Sequence, residues 1–391
     1  MKRFVSLAEL PREEVLDLLA LAARLERQPD PHALAGRVLA LLFFNPSLRT
    51  LASFQSGMAR LGGSSFVISP GQGSWQLETR RGVVMTGDAA EHVREAVPVL
   101  ASYADALGIR SFAGGKDLAA DLADSTFRAM ADVCPVPLVN LESAIDHPCQ
   151  ALADWKTLDD LEIPRHGRFV LSWANHPKAL PLAVPAAALH MAALRGMEVV
   201  VARPHGYGLP EPLMARARAV AELAGGSVRE TNDPGEAMVG ARVVYAKSWG
   251  SPELYGDGQA EAIRRRALTG WCVDEHWFDE AAPDCRFMHC LPVRRNVVVT
   301  DAVLDGPRSV VVQEARNRMW VQMAVLHRLL VGAERAESER AGTGPAPTSE
   351  ARSVAALSVA TGSAPDVGEG PAPARLLGVA DDDGIDEERT P

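Results

Sequence analysis

The chain has 391 residues, 47% of them hydrophobic, which is enough apolar material for two domains with separate cores. Its formal charge of -10 and pI near 5.5 weigh against a nucleic-acid partner, since binding a phosphate backbone needs a basic face. A small anion can still be held locally by clustered arginines.

The first 30 residues run from Met1-Lys2-Arg3-Phe4 into charged residues and a helical pattern over 11–27, without the apolar core of a secretory signal. Strands are expected over residues 38–44, 64–69, 107–110, 137–141, 169–173, 198–202, 227–231, 242–246, 286–291 and 309–312. Helical patterns fall between them, over 91–106, 118–133, 148–160, 210–224 and 317–330. Such alternation is the mark of parallel sheets covered by helices, so the expected class is α/β, with two domains that each carry a central parallel sheet. A boundary near Asp146 and His147 gives domains of ordinary size, 1–146 and 147–333. Residues 334–391 turn to Ala, Gly, Pro, Ser, Thr and acid, and are read as a disordered tail. The most apolar stretch, 179–197, contains Pro181, Pro185, His190 and Arg195, which a membrane span would have to bury; a cytoplasmic protein without membrane association is expected. The five cysteines, Cys134, Cys149, Cys272, Cys285 and Cys290, are scattered without a C-x-x-C pair, so neither a disulfide scaffold nor a metal site is expected.

Three strand ends carry residues suited to chemistry, the first two of them leading into helices. In Asn45-Pro46-Ser47-Leu48-Arg49-Thr50-Leu51 a helix start offers free N–H groups, and Ser47, Arg49 and Thr50 add donors for phosphate oxygens; the plainer reading is a helix cap by Ser47. In Asp146-His147-Pro148-Cys149-Gln150, His147 and Gln150 can both donate to a carbonyl oxygen on which charge develops, against a reading of His147 as structural. In Met288-His289-Cys290-Leu291-Pro292-Val293-Arg294-Arg295 a strand stops at a proline. Cys290 lacks an evident base and reads as a buried hydrophobe, and the arginine pair reads either as a site or as a solvated charge run. Lys247, at the end of another strand, is one of five lysines in a chain whose other basic residues are arginine.

Ser47-x-Arg49-Thr50, His147-Pro148-x-Gln150 and His289-Cys290-Leu291-Pro292, in that order, resemble the aspartate/ornithine carbamoyltransferase family over about residues 4–330. Lys247-Ser248-Trp249-Gly250, Trp75 and His176-Pro177-Lys178 resemble its N-acetylornithine and N-succinylornithine branch. The resemblance implies a homotrimer with shared active sites, a knotted second domain, a C-terminal helix packed on the first domain, and no cofactor. Its substrates would be carbamoyl phosphate and an N-acylornithine, in arginine biosynthesis. Ser47, Leu48, Arg49, Thr50, Arg110, His147, Pro148, Cys149, Gln150, Cys290, Leu291 and Arg318 would hold carbamoyl phosphate, with Trp75 reaching in from a neighbouring subunit. Arg49, His147, Gln150 and Arg318 would be catalytic, while Glu142, His176, Lys247, Arg294 and the position of Ala90 would meet the acylornithine.

Two departures stand out. Leu51 occupies the place of a second arginine that the family usually has after Ser-x-Arg-Thr, which keeps a non-catalytic binding relative in view. Ala90 stands where acetylornithine enzymes carry a glutamate that would repel a succinyl carboxylate, which favours N-succinylornithine over N-acetylornithine or ornithine. A nucleotide-binding dehydrogenase is the rival for this alternation, but no G-x-G-x-x-G follows the first strand of either half.

Overall fold

The computed structural model describes residues 1–342, with side chains placed to residue 331. In chain order the strands are β1 (Arg3–Phe4), β2 (Val38–Phe43), β3 (Ser64–Ile68), β4 (Gln76–Glu78), β5 (Ala89–His92), β6 (Ala106–Arg110), β7 (Leu138–Glu142), β8 (Arg168–Trp173), β9 (Glu198–Ala202), β10 (Ser227–Thr231), β11 (Ala241–Lys247) and β12 (Arg286–Met288). The helices are α1 (Arg12–Arg27), α2 (Leu48–Arg60), α3 (Val93–Ser102), α4 (Leu118–Leu122), α5 (Ser125–Ala131), α6 (Pro148–Asp160), α7 (Ala183–Arg195), α8 (Glu211–Ala224), α9 (Pro234–Met238), α10 (Gly258–Arg266), α11 (Asp301–Leu304) and α12 (Val311–Gly342).

Two five-stranded sheets, both wholly parallel, run β1-β7-β6-β2-β3 and β10-β9-β8-β11-β12. Near-continuous apolar strands such as Val38–Phe43 and Arg168–Trp173 are buried because helices cover both faces. The strand order of the first sheet reverses between β2 and β6, and that of the second between β8 and β11. Crevices open at the carboxyl ends of strands at such reversals, so the ends of these four strands are where a ligand site is expected.

Helices α6 and α12 tie the sheets together. From Pro148 to Leu158 every residue of α6 is buried, and its polar residues have partners: the Lys156 ammonium, for example, pairs with Glu26 at 2.7 Å and Asp160 at 2.9 Å. Helix α12 lies against the helices of the first sheet. Arg316 reaches Glu26 at 2.8 Å, Arg60 stacks on Trp320 at 5.8 Å, and a Cβ on Gly57 of α2 would come within 3.2 Å of Met323. Glycine at 57 allows the two helices this close approach.

Several expectations shift in detail. Residues 309–312 form no strand: Ser309 makes one isolated bridge to Phe287, and α12 begins at Val311. A short β-branched run reads the same way whether it starts a buried helix or a strand. The helix expected over 118–133 is two, because Asp124 takes the left-handed conformation (φ 54°) and its carboxylate accepts the Ala144 N–H at 3.1 Å. The strand expected over 286–291 ends at Met288, which frees residues 289–291 from the sheet. Helix α7 fills much of the apolar stretch 179–197 and stops at Gly196 (φ 91°), a left-handed glycine cap. Helix α12 runs to Gly342, past the start of the expected tail, and residues 343–391 lie outside the described residues.

His190 of α7 is buried, its Nδ1 has no partner among the described residues, and burial, aided by Arg216, lowers its pKa to about 4. An unfolded histidine takes its proton near pH 6.5. The stability that neutral His190 contributes is therefore whole above about pH 6.5 and is lost as pH falls toward 4. In urea unfolding, His190→Leu should gain about 2 kcal/mol relative to wild type on going from pH 8 to pH 4.5. Parallel pH dependences of the two proteins would contradict this.

Candidate active site

The strand ends at the two reversals, joined by those of β7 and β12, enclose a cleft of about 450 Å³, within the range of small-molecule sites. From β2 the chain passes through Pro46 into α2, where Ser47 is the N-cap and its hydroxyl accepts the Thr50 N–H at 3.3 Å. The capping reading of Ser47 is correct, and Ser47 also lines the cleft with Leu48 and Arg49. Residues 46–49 of this helix start line the same space, and a helix start carries N–H groups free of intrahelical partners.

Four cations line the cleft: Arg49 from α2, Arg110 from the end of β6, Lys247 from the end of β11 and Arg318 from α12. Arg318 is buried and donates from Nη2 to the Thr50 hydroxyl at 2.6 Å; the Nε atoms of Arg49, Arg110 and Arg318 are buried without a partner among the described residues. Burial above all, together with the mutual repulsion of the guanidiniums, lowers the pKa of Arg49 and Arg318, yet both stay charged. Glu142 is the cleft's own anion, and it accepts a close hydrogen bond from Arg110, whose guanidinium also stacks 4.5 Å from the centre of Phe112. One carboxylate facing four cations leaves the cleft with excess positive charge. That field attracts an anion. Leu51 packs against the main apolar core and adds nothing to it.

His147, the N-cap of α6, is buried, with Nε2 3.5 Å from Glu142 and Nδ1 unpartnered. Burial first, then the charges of Arg318, Arg110, Lys247 and Arg49, hold its pKa well below the ordinary value. His147 is therefore neutral near pH 7 and can donate one N–H. Gln150, one turn on, departs from the expectation that it donates. Its amide nitrogen is bound by Asp154 at 2.8 Å and Glu314 at 2.9 Å, which uses both hydrogens, and its Oε1 has no partner among the described residues. Gln150 offers the cleft an acceptor.

On the far wall, residues 289–291 leave the sheet. Leu291 adopts φ 56°, a conformation that costs a non-glycine residue about 1 kcal/mol, and its N–H donates to His289 Nδ1 at 2.9 Å. Cys290, Leu291 and Pro292 line the cleft. His176 lines it too, and the Nε of the exposed Arg294 lies 3.2 Å from His176 Nε2.

The structure thus brings Ser47, Leu48, Arg49, Arg110, Glu142, His147, Gln150, His176, Lys247, Cys290, Leu291 and Arg318 around one space. Thr50, Pro148 and Cys149 are buried behind it. Ala90 of β5 and Trp75, just before β4, are exposed, Trp75 Nε1 donates to Glu91 of β5 at 2.8 Å, and neither residue lines this cleft. Sequence reasoning missed Asp154, Glu314 and Tyr245, which lie beneath the site. The signal was there: Asp154 is four residues after Gln150, and Glu314 four before Arg318, on the same helical faces.

Two family profiles match the chain: aspartate/ornithine carbamoyltransferase, carbamoyl-P binding domain, over residues 2–160, and aspartate/ornithine carbamoyltransferase, Asp/Orn binding domain, over residues 184–329. The chain belongs to the aspartate/ornithine carbamoyltransferase family. It is 39% identical to the N-acetylornithine carbamoyltransferase of Xanthomonas campestris pv. campestris, over 84% of this chain and 98% of that one. It is 33% identical to the N-succinylornithine carbamoyltransferase of Bacteroides thetaiotaomicron, over 85% of this chain and 100% of that one. A solved structure of N-acetyl-L-ornithine transcarbamylase with one glutamate replaced by alanine, complexed with carbamyl phosphate and N-succinyl-L-norvaline, aligns with a TM-score of 0.81. That protein is 39% identical, and the alignment covers 84% of this chain and 100% of it.

Arg318 is the most deeply buried cation of the cleft and should dominate its grip on anions. Arg318→Met should weaken binding of inorganic phosphate about tenfold to a hundredfold by isothermal calorimetry, the loss expected for a charge-assisted hydrogen bond. An unchanged affinity would place the anion elsewhere.

Proposed function

We propose that this protein transfers the carbamoyl group of carbamoyl phosphate to the side-chain amine of an N-acylornithine, with N-succinylornithine preferred over N-acetylornithine. The observation that carries this reading is the convergence of Arg49, Arg110 and Arg318 with a neutral His147 and the free oxygen of Gln150 on one cleft. Arg49, Arg318 and the α2 N-terminus suit a phosphate. His147 and Arg110 can donate to the carbamoyl oxygen, while Gln150 Oε1 and the backbone of residues 290–291 can accept from its NH2 group.

The uncharged amine attacks the carbamoyl carbon, forming the C–N bond. The resulting oxyanion is stabilised by donors already in place, and the C–O bond to phosphate then breaks. The departing phosphate takes the proton released by the amine, so no covalent enzyme intermediate is needed. Removing one such donor typically lowers the rate about 100- to 1000-fold. Glu142, His176, Lys247 and Arg294 would hold the acylornithine's charged and acyl groups. The reading includes a division into a carbamoyl phosphate-binding domain, 1–146, and an acylornithine-binding domain, 147–333, with a knot in the second. It also includes a role in arginine biosynthesis in the cytoplasm, and a homotrimer in which the exposed Trp75 and Ala90 serve the cleft of a neighbouring copy.

The preference for a succinyl group rests on Ala90, which leaves uncharged room where a glutamate would repel the second carboxylate. The relative named N-acetyl-L-ornithine transcarbamylase supports it: complexes with N-succinyl-L-norvaline are described for its variants in which one glutamate is alanine, serine, proline or valine. Steady-state assays with ornithine and its two acyl derivatives should give the highest kcat/KM for N-succinylornithine, and Ala90→Glu should move the preference toward N-acetylornithine. Equal values for the two acyl substrates in wild type, or no shift in the variant, would remove Ala90 from the account.

A further inference from the structure

Beneath the cleft two carboxyl groups are buried against one amide. Asp154 and Glu314 are fully enclosed, and no cation forms an ion pair with either among the described residues. Asp154 Oδ1 and Glu314 Oε1 accept the two hydrogens of Gln150 Nε2, at 2.8 and 2.9 Å. Glu314 Oε2 accepts the backbone N–H of His289 at 3.0 Å, and the Tyr245 hydroxyl lies 3.5 Å from Glu314 Oε1. One side chain thus holds both the Gln150 amide and the backbone that leads into residues 290–291.

We propose that Asp154 and Glu314 form a lock that fixes the Gln150 amide with its oxygen toward the cleft, so that the site selects an acyl phosphate bearing NH2 over one bearing CH3. The inference rests on the carbamoyl phosphate reading above and deepens it. If the amide turned, its oxygen would face the acceptor oxygens of two carboxyl groups and its NH2 would point at the substrate's NH2, leaving acceptors opposed on one side and hydrogens on the other. A buried acceptor left without a donor loses a hydrogen bond and keeps its desolvation cost, which is how polar sites reject analogues that lack one N–H. Burial pushes Asp154 up to about 7 and Glu314 well above its usual range, so near neutrality the pair retains a proton while still offering acceptor oxygens to Gln150. Asp154 and Glu314 are positioning residues, since neither lines the cleft.

The test measures dissociation constants of carbamoyl phosphate, acetyl phosphate and inorganic phosphate for the full chain by calorimetry. Acetyl phosphate has a methyl group where carbamoyl phosphate has NH2. Wild type should bind carbamoyl phosphate at least 100-fold more tightly than acetyl phosphate. Asp154→Asn and Glu314→Gln keep the shapes but let either end of the new amide face Gln150. Each should lower that ratio at least tenfold and leave inorganic phosphate affinity within about threefold, a pattern that general loosening of the fold would not produce. Either variant alone suffices if the other fails to fold. A wild-type ratio near one overturns the proposal whatever the variants do, as does an unchanged ratio in a folded variant. Failure of wild type to bind carbamoyl phosphate at all would instead overturn the proposed function, and this inference with it.

Discussion

Three guanidiniums brought from α2, β6 and α12 into one partly dehydrated cleft, with a single carboxylate to balance them, are the arrangement on which the rest depends. Like charges gathered out of water are unfavourable, and the lowered pKa values of Arg49 and Arg318 express that cost. The fold holds them because Arg318 is anchored to Thr50, Arg110 to Glu142 and Phe112, and α12 to the first sheet through Glu26, Gly57 and Arg60. An arriving anion relieves the repulsion, so the free protein is already arranged for it.

Burial first, and then the same field, keeps His147 uncharged. A protonated His147 would add a further positive charge to the cluster, whereas the neutral ring donates one N–H, and its lowered pKa makes its other nitrogen a weak base. Below it, the amide of Gln150 is oriented by carboxyl groups that never touch the cleft. The site is therefore built in two layers: arginines and histidine placed by strand ends, and acids on α6 and α12 that set which end of Gln150 faces inward.

Much of this was readable in advance, and the reasons are physical. Parallel strands buried on both faces are near-continuously apolar, so 198–202 stands out to the residue. The junctions at Ser47 and His147 were legible because strand, turn residue and helix start follow one another within a few residues, and that at Cys290 because a proline ends an apolar run. Long-range placement was not. Nothing local tells that Val311 and Val312 begin a helix, that Asp124 breaks one, or that Gln150 meets a glutamate 164 positions away. The orientation of the Gln150 amide reversed for this reason: its partners belong to tertiary packing.

The most direct measurement is a crystal structure with carbamoyl phosphate bound. The account predicts phosphate oxygens within hydrogen-bonding distance of Arg49 and Arg318, the carbamoyl oxygen on His147 and Arg110, and the carbamoyl NH2 on Gln150 Oε1. A ligand that engages fewer than two of the three arginines, or lies outside the cleft, would contradict it.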